Sequence, residues 1–435
     1  MNVDIVKLNH WLNARKISRL LISGFSKKLA NKIRKSKDFY ASENEIHYLT
    51  KKLNILKEDI KIQDKIPKYM HWTYKKIQST KRKIFRDKIH FYNYYTLPSP
   101  KGFISPVILD ILCPKHKLPK LNNGHLEQAI TVALGEGNLF GRWGKNINKN
   151  TFQEIKVNRE KTNNWIVGDS YVEPAYCPHS YSLSTDKSGK ILSYTAKSQL
   201  QKFVDGINHW PEESFTNFKN SYKNLKTLGF TNFYLSARGI DLNYLLKKIK
   251  MNKNTFLSLI KRDNGNKNKL LRKINKLVGI NLSNFEFTEK NEDKVGKVYC
   301  SFNKSIKSIR KFKSYKVADM AFSNRYPDLR GIFIKVTNKK NRKRDLNLFS
   351  SCHYLVTDGK MEMFISKKRF RISKGDAIWV CPNQVHGFNG NGSLIRISNG
   401  EAVDYLDMIE LSKLYNPNHT LKRLYKDKFN WGYDN

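Results

Sequence analysis

The stretch WIVGDSYVEPAYCPHSYS, residues 165–182, decides how this chain is read. It contains an apolar run, a Gly-Asp turn at Gly168 and Asp169, and a second short run ending at Glu173. His179 follows across a turn stiffened by Pro174 and Pro178. Short apolar runs bounded by Gly, Asp and Pro read as strands. A strand-turn-strand unit can aim Glu173 and His179 at one point, because successive side chains alternate between faces. Upstream, NNGHLEQAITVALGEGNLFGRWG (122–144) places His125 after a Gly-containing turn, where it is expected to begin an apolar strand. Two imidazoles and a carboxylate on one face would leave open positions on a bound iron(II). By ligand type alone zinc and manganese fit equally well, and a single histidine before a strand is more often a surface or core residue.

Away from this stretch the period of the apolar residues changes four times. Residues 1–60 are expected to be helical: LNHWLNARKISRLL and KKLANKIRKS show i, i+3, i+4, i+7 spacing, and Ser42 with Glu45 form a capping-box pattern. Residues 61–205 read as an antiparallel barrel or sandwich, with runs such as FYNYYTL, AITVAL and ILSYTA between turns. A second helical segment spans 206–290, a second barrel 291–400, and a helix with a tail 401–435. The repetition has a local signature: VGDSYVEPAYCPH (167–179) and KGDAIWVCPNQVH (374–386) each carry Gly-Asp with a His eleven residues after the Gly. Val380 stands where the first copy has Glu173, so His353 and His386 are expected to form a copy without metal.

Composition sets outer bounds. The 435 residues carry 81 Lys and Arg against 37 Asp and Glu, a formal charge of +44. That excess attracts anions of every kind, from nucleic acid to phosphorylated metabolites. Its even spread equally fits a general lysine and asparagine bias. Five scattered cysteines without CxxC spacing exclude a zinc ribbon and a disulfide framework, and fit a reducing cytoplasm. Neither a signal peptide nor a membrane-spanning run is apparent.

The segments NNGHLEQAITV, GRWG, WIVGDSYVEPAYCPHSYS and LSYTAKS resemble the hydroxyethylphosphonate dioxygenase and methylphosphonate synthase family of non-haem iron enzymes. The resemblance covers roughly residues 80–200, and the helix-barrel-helix-barrel order matches that family across nearly the whole chain. It implies an α+β chain, a tandem repeat of a helix-turn-helix-like segment followed by a cupin-type β-barrel. It implies Fe(II) on His125, Glu173 and His179, and cleavage of 2-hydroxyethylphosphonate by O2 to hydroxymethylphosphonate and formate. It implies phosphonate contacts from Lys16, Arg86, Tyr94, Asn122 and Ser193, a dianion needing cationic and hydroxyl or amide donors. Tyr95 competes with Tyr94, and Asn123 with Asn122, for those roles.

Two other readings stand beside this one. The methylphosphonate branch replaces the carboxylate ligand by a glutamine downstream of the first histidine; Gln128 is the candidate here, and the presence of Glu173 favours hydroxymethylphosphonate. A ligand-responsive transcription regulator would use the helical segment NKNTFLSLIKR to read DNA, yet only Lys261 and Arg262 there suit base contacts. Nucleic acid therefore ranks below catalysis, a membrane partner is not expected, and a homo-oligomer stays open.

Overall fold

The computed structural model describes residues 1–426 apart from 116, 118–119, 145–151, 160–164, 197–198, 224–234, 262–264, 280–290, 325, 341–342 and 400–402. The chain divides into two compact units, one of residues 1–68 with 403–435 and one of residues 69–402.

In the first unit the expected helices form at Ile5–Ala14, Arg19–Ser23, Lys27–Arg34 and Glu43–Leu53. Ile5, Leu8, Leu12, Leu29, Ile33, Leu49 and Leu53 bury their apolar faces in one core. Each fully buried aliphatic side chain contributes about 1.5–3 kcal/mol. The Ser42–Glu45 capping box is present in both directions. LNHWLNARKISRLL is not one helix: Arg15 caps the first, and Lys16 takes a left-handed φ of 55° that ends it.

The second unit is built on β-sheets. A seven-stranded antiparallel sheet runs in the order Val298–Cys300, Ser170–Glu173, Ala129–Gly135, Gly189–Thr195, Val107–Ile111, Ile89–Thr96, Arg82–Arg86. A three-stranded sheet, His179–Leu183, Leu139–Trp143 and Phe152–Ile155, belongs to the same half. Phe91, Ile111, Ala133, Leu139, Trp143, Tyr171, Tyr181 and Ile191 fill the core that the two share. The opposite face of the seven-stranded sheet, with Ile130, Val132, Val172, Leu192 and Tyr194, packs into a core with Ala318, Phe333, Ile395 and Ile397 of an eight-stranded sheet. The two-period alternation thus sorts every strand near the site: odd positions 129–133, 171–173 and 191–195 face one way, even positions the other.

Two expectations are corrected here. The cupin-like β-structure is present, but among the described residues the sheets are open and do not close into hydrogen-bonded barrels. The ladders end at the edge strands Arg82–Arg86 and Phe152–Ile155, and packing between facing sheets takes the place of closure. His125 does not begin a strand; it lies in the loop before Ala129–Gly135, because Gly124 takes φ +77° and turns the chain. The second helical segment forms Leu242–Ile249, Lys253–Lys261 and Gly265–Val278 around Leu245, Phe256, Leu271 and Ile274. Arg262 lies outside the described residues.

The two sheet halves trade strands. Tyr69–Trp72, just ahead of the first sheet, pairs with Ala377–Val380 of the second, and Val298–Cys300, just ahead of the second, pairs with Ser170–Glu173 of the first. A short helix follows each traded strand, capped by Thr73 or Ser301. The Gly-Asp signature explains the exchange. Asp169 accepts hydrogen bonds from the Lys156 N–H (2.7 Å), the Phe302 N–H (2.7 Å) and the Tyr299 hydroxyl. Asp376 accepts from the Tyr74 N–H (2.8 Å) and the Ser373 N–H (3.0 Å), with His71 at 3.3 Å. Each aspartate therefore anchors the strand borrowed from the other half. Asp169→Ala leaves several buried donors without an acceptor, and should destabilise the protein by about 3 kcal/mol. Chemical denaturation measures this; a loss well below about 1 kcal/mol would contradict the anchoring role.

Candidate metal centre

Ser170–Glu173 fixes the orientation of the acid. Val172 is buried in the core between the two sheets, so Tyr171 and Glu173 point to the other face. On the facing sheet His179 and Tyr181 share the side occupied by Trp143, with His179 directly opposite Trp143 in register. The third residue arrives on the Asn122–His125 loop. Its Gly124 is required: a Cβ there would fall 2.5 Å from the Tyr176 carbonyl carbon and 2.6 Å from the Cys177 nitrogen. That close pass lets the Tyr176 N–H donate to the His125 carbonyl at 2.5 Å, locking the two ligand-bearing segments together.

One ligand atom from each of His125, Glu173 and His179 lies within 4.8 Å of the other two. Glu173 and His179 are buried, whereas His125 is exposed. Among the described residues this is the one group of three or more His, Cys, Asp or Glu with such geometry. The surrounding hydrogen bonds orient each donor. The Trp143 indole donates to Glu173 Oε2 at 2.8 Å, which turns Oε1 toward His179 Nδ1 at 3.3 Å. His179 Nδ1 donates to the Cys177 carbonyl at 3.0 Å, leaving the lone pair on Nε2. The Asn122 side-chain amide donates to that lone pair at 2.8 Å, while its Oδ1 accepts from the His179 and Gly124 N–H groups, each at 3.0 Å.

Burial dominates the electrostatics. It pushes the Glu173 carboxyl up to about 7, against the opposing pull of Trp143, His125 and Lys297. It lowers His179 to about 4, and the partial desolvation of the His125 ring, with His179 beside it, holds His125 below the usual imidazole range although the residue as a whole is exposed. Neutral imidazoles are competent ligands, and the carboxylate gains most from a cation. Lys297 sits on the outer side of this group, 4.6 Å over the Trp143 ring and bonded to Gln153 and Asp293 at 2.8 and 3.0 Å.

A cavity of about 420 Å³ opens onto His125 and His179. Of the expected substrate contacts, Arg86, Tyr94, Asn122 and Ser193 all line it. Strand alternation separates Tyr94 from Tyr95: Tyr92, Tyr94 and Thr96 face the cavity, whereas Tyr95 is buried and donates to Asp110 at 3.0 Å. Asn123 is exposed, and Asn122 makes the bonds to His179. Lys16 belongs to the other unit. Arg82 lines the cavity too and was missed in the sequence, where nothing marks one basic residue out of 81. In the second half, Val380 is buried among apolar residues, His353 packs against the Tyr194 ring at 4.9 Å, and the His386 ring bonds Tyr354 and Gln384 at 2.6 and 2.7 Å.

The 2-hydroxyethylphosphonate dioxygenase cupin-like domain family matches residues 78–196. A 2-hydroxyethylphosphonate dioxygenase of Streptomyces viridochromogenes is 32% identical over 449 aligned residues, covering 100% of both chains. A solved cadmium complex with hydroethylphosphonate is 30% identical, with a TM-score of 0.81 over 98% of this chain and 100% of that one. A Streptomyces albus enzyme, solved with 2-hydroxyethylphosphonate and Fe(II), shares the fold at a TM-score of 0.74 and 13% identity, covering 97% of this chain and 96% of that one. With 32% identity over the full length of both chains, the chain belongs to the 2-hydroxyethylphosphonate dioxygenase family.

Proposed function

We propose that the protein cleaves the carbon–carbon bond of 2-hydroxyethylphosphonate with O2, giving hydroxymethylphosphonate and formate. The observation that carries this is the convergence of two imidazoles and one carboxylate at the end of a cavity lined by Arg86, Asn122, Tyr94 and Ser193. The donor set fits iron(II): three protein ligands on one side leave positions for a chelating substrate and a gas molecule. His125, Glu173 and His179 would hold the metal, which when bound supplies the site where substrate hydroxyl and dioxygen meet. The reaction balances without a further reductant, since the substrate supplies all four electrons that O2 takes up.

The protein's own groups position the substrate. Arg86 is held by the Lys120 carbonyl at 3.0 Å and lies 4.8 Å over the Phe91 ring, which presents its remaining N–H groups to phosphonate oxygens. Ser193, whose oxygen accepts from Thr131 at 3.1 Å, keeps its own proton to donate. Asn122, whose side-chain amide lies 2.8 Å from His179 Nε2 and lines the cavity, would donate to a phosphonate oxygen when His179 holds the metal. Ile104, Val107, Leu109 and Ile191 form the apolar wall that limits water near the reacting carbons. Lys16 rests on the resemblance alone as a fifth substrate contact. A helical segment followed by a cupin-like unit of open sheets, repeated in tandem, is the reading of the fold that the two Gly-Asp anchors support. Methylphosphonate production is disfavoured, because the carboxylate of Glu173 converges with His125 and His179. The regulator reading has no comparable support, and five unpaired cysteines suit a cytoplasmic setting. No helix among the described residues is long and apolar enough to cross a membrane.

Anaerobic loading with iron(II), followed by 2-hydroxyethylphosphonate and oxygen, should yield a hydroxymethylphosphonate signal in phosphorus NMR. A methylphosphonate signal would move the enzyme to its sister branch, and no turnover would refute the proposal. Glu173→Ala should lose activity and most bound iron; retention of both would remove Glu173 from the ligand set. Metal affinity should also depend on pH. Glu173 must ionise to bind a cation, so affinity should be flat above its value of about 7 and fall below it. The expected slope is about tenfold per pH unit. Neutral His179, at about 4, adds no competing proton in that window. Zinc titrations between pH 8 and pH 5.5 would expose a flat profile, which contradicts a buried carboxylate ligand.

A further inference from the structure

We infer that Arg82 is a positioning and charge-matching residue of the substrate cavity, which selects a doubly charged tetrahedral head group by orienting Tyr94 and adding a second guanidinium to the cavity lining. The inference rests on the phosphonate reading above and goes beyond its expected contacts.

Register places Arg82 directly across from Tyr94 on neighbouring antiparallel strands. Its guanidinium lies 4.2 Å from the centre of the Tyr94 ring, within cation–π range, and both residues line the cavity. A guanidinium held over the ring restricts the rotation of a tyrosine that lines the cavity. Burial raises the Tyr94 phenol while Arg82 opposes that rise. The phenol remains a neutral hydrogen-bond donor either way.

Arg82 and Arg86 occupy the two ends of one short strand, Arg82–Arg86, and the register slip between Ile84 and Phe85 lies between them. Both guanidiniums line the same cavity. Among the described residues neither forms an ion pair with a carboxylate; Arg86 bonds a backbone carbonyl instead. Two uncompensated positive charges match two negative charges on a phosphonate. A singly charged ligand of the same shape would leave one of them unmet. Arg82 is exposed, so water screens its contribution, and its effect belongs at the modest end of a charged contact.

The test compares a dianion with a monoanion of the same shape. Anaerobic, iron(II)-loaded protein would be titrated calorimetrically with 2-hydroxyethylphosphonate and with its monomethyl phosphonate ester. Arg82→Gln should weaken the dianion roughly tenfold and the ester less than twofold. In turnover the loss should appear in KM rather than in kcat. Arg82→Lys should restore part of the dianion preference, since it returns the charge without the planar stack. Tyr94→Phe combined with Arg82→Gln should cost less than the sum of the two single changes, as expected for coupled neighbours. Equal weakening of both ligands, or none, would overturn the inference. Failure of the wild-type protein to bind either ligand would instead overturn the phosphonate reading, and the inference with it.

Discussion

The buried carboxylate of Glu173 is the constraint on which the site depends. A carboxylate removed from water is strongly destabilised unless it is paired or hydrogen-bonded. Here one oxygen is held by the Trp143 indole, the other faces His179, and its pKa still rises to about 7. The residual cost is what a cation would relieve. Trp143 is in turn held in place by Tyr171 at 4.9 Å, Tyr181 and the Lys297 ammonium. The aromatic core of the first half is therefore also the scaffold of the ligand set.

That scaffold relies on chain far away in sequence. Lys297 and Tyr299 reach the first half because the strand Val298–Cys300 pairs with the one that carries Glu173. Asp169, only four residues before Glu173, ties that borrowed strand down through Tyr299 and Phe302. The second half thus serves the first as a structural support. Its own equivalent positions are filled by Val380 in an apolar core and by histidines bound to Tyr354 and packed on Tyr194.

Much of the site was legible in the residue order because short-range geometry determines it. Glu173 and His179 are separated by one stiff turn, and alternation along Ser170–Glu173 leaves Glu173 a single direction to face. The same alternation, applied to Ile89–Thr96, separates Tyr94 from Tyr95. Other features depended on tertiary contacts that no local pattern encodes. His125 looked like the start of a strand, yet the close approach of Gly124 to the Tyr176 backbone makes it a loop residue. The strands Tyr69–Trp72 and Val298–Cys300 carry no sign of which sheet they join. Arg82 was hidden by the lysine-rich background, since only its register against Tyr94 distinguishes it. The run of short strands between turns fits a barrel or a sandwich alike, and the resemblance implies closed barrels, but facing open sheets bury the same apolar faces.

The most direct measurement is an anomalous-scattering crystal structure of anaerobically iron-loaded protein, collected at the iron absorption edge. It should show one peak per chain, within coordination distance of His125, Glu173 and His179 together, and none near His353 or His386. A peak that lacks any one of the three donors, or iron seated elsewhere in the chain, would contradict the account.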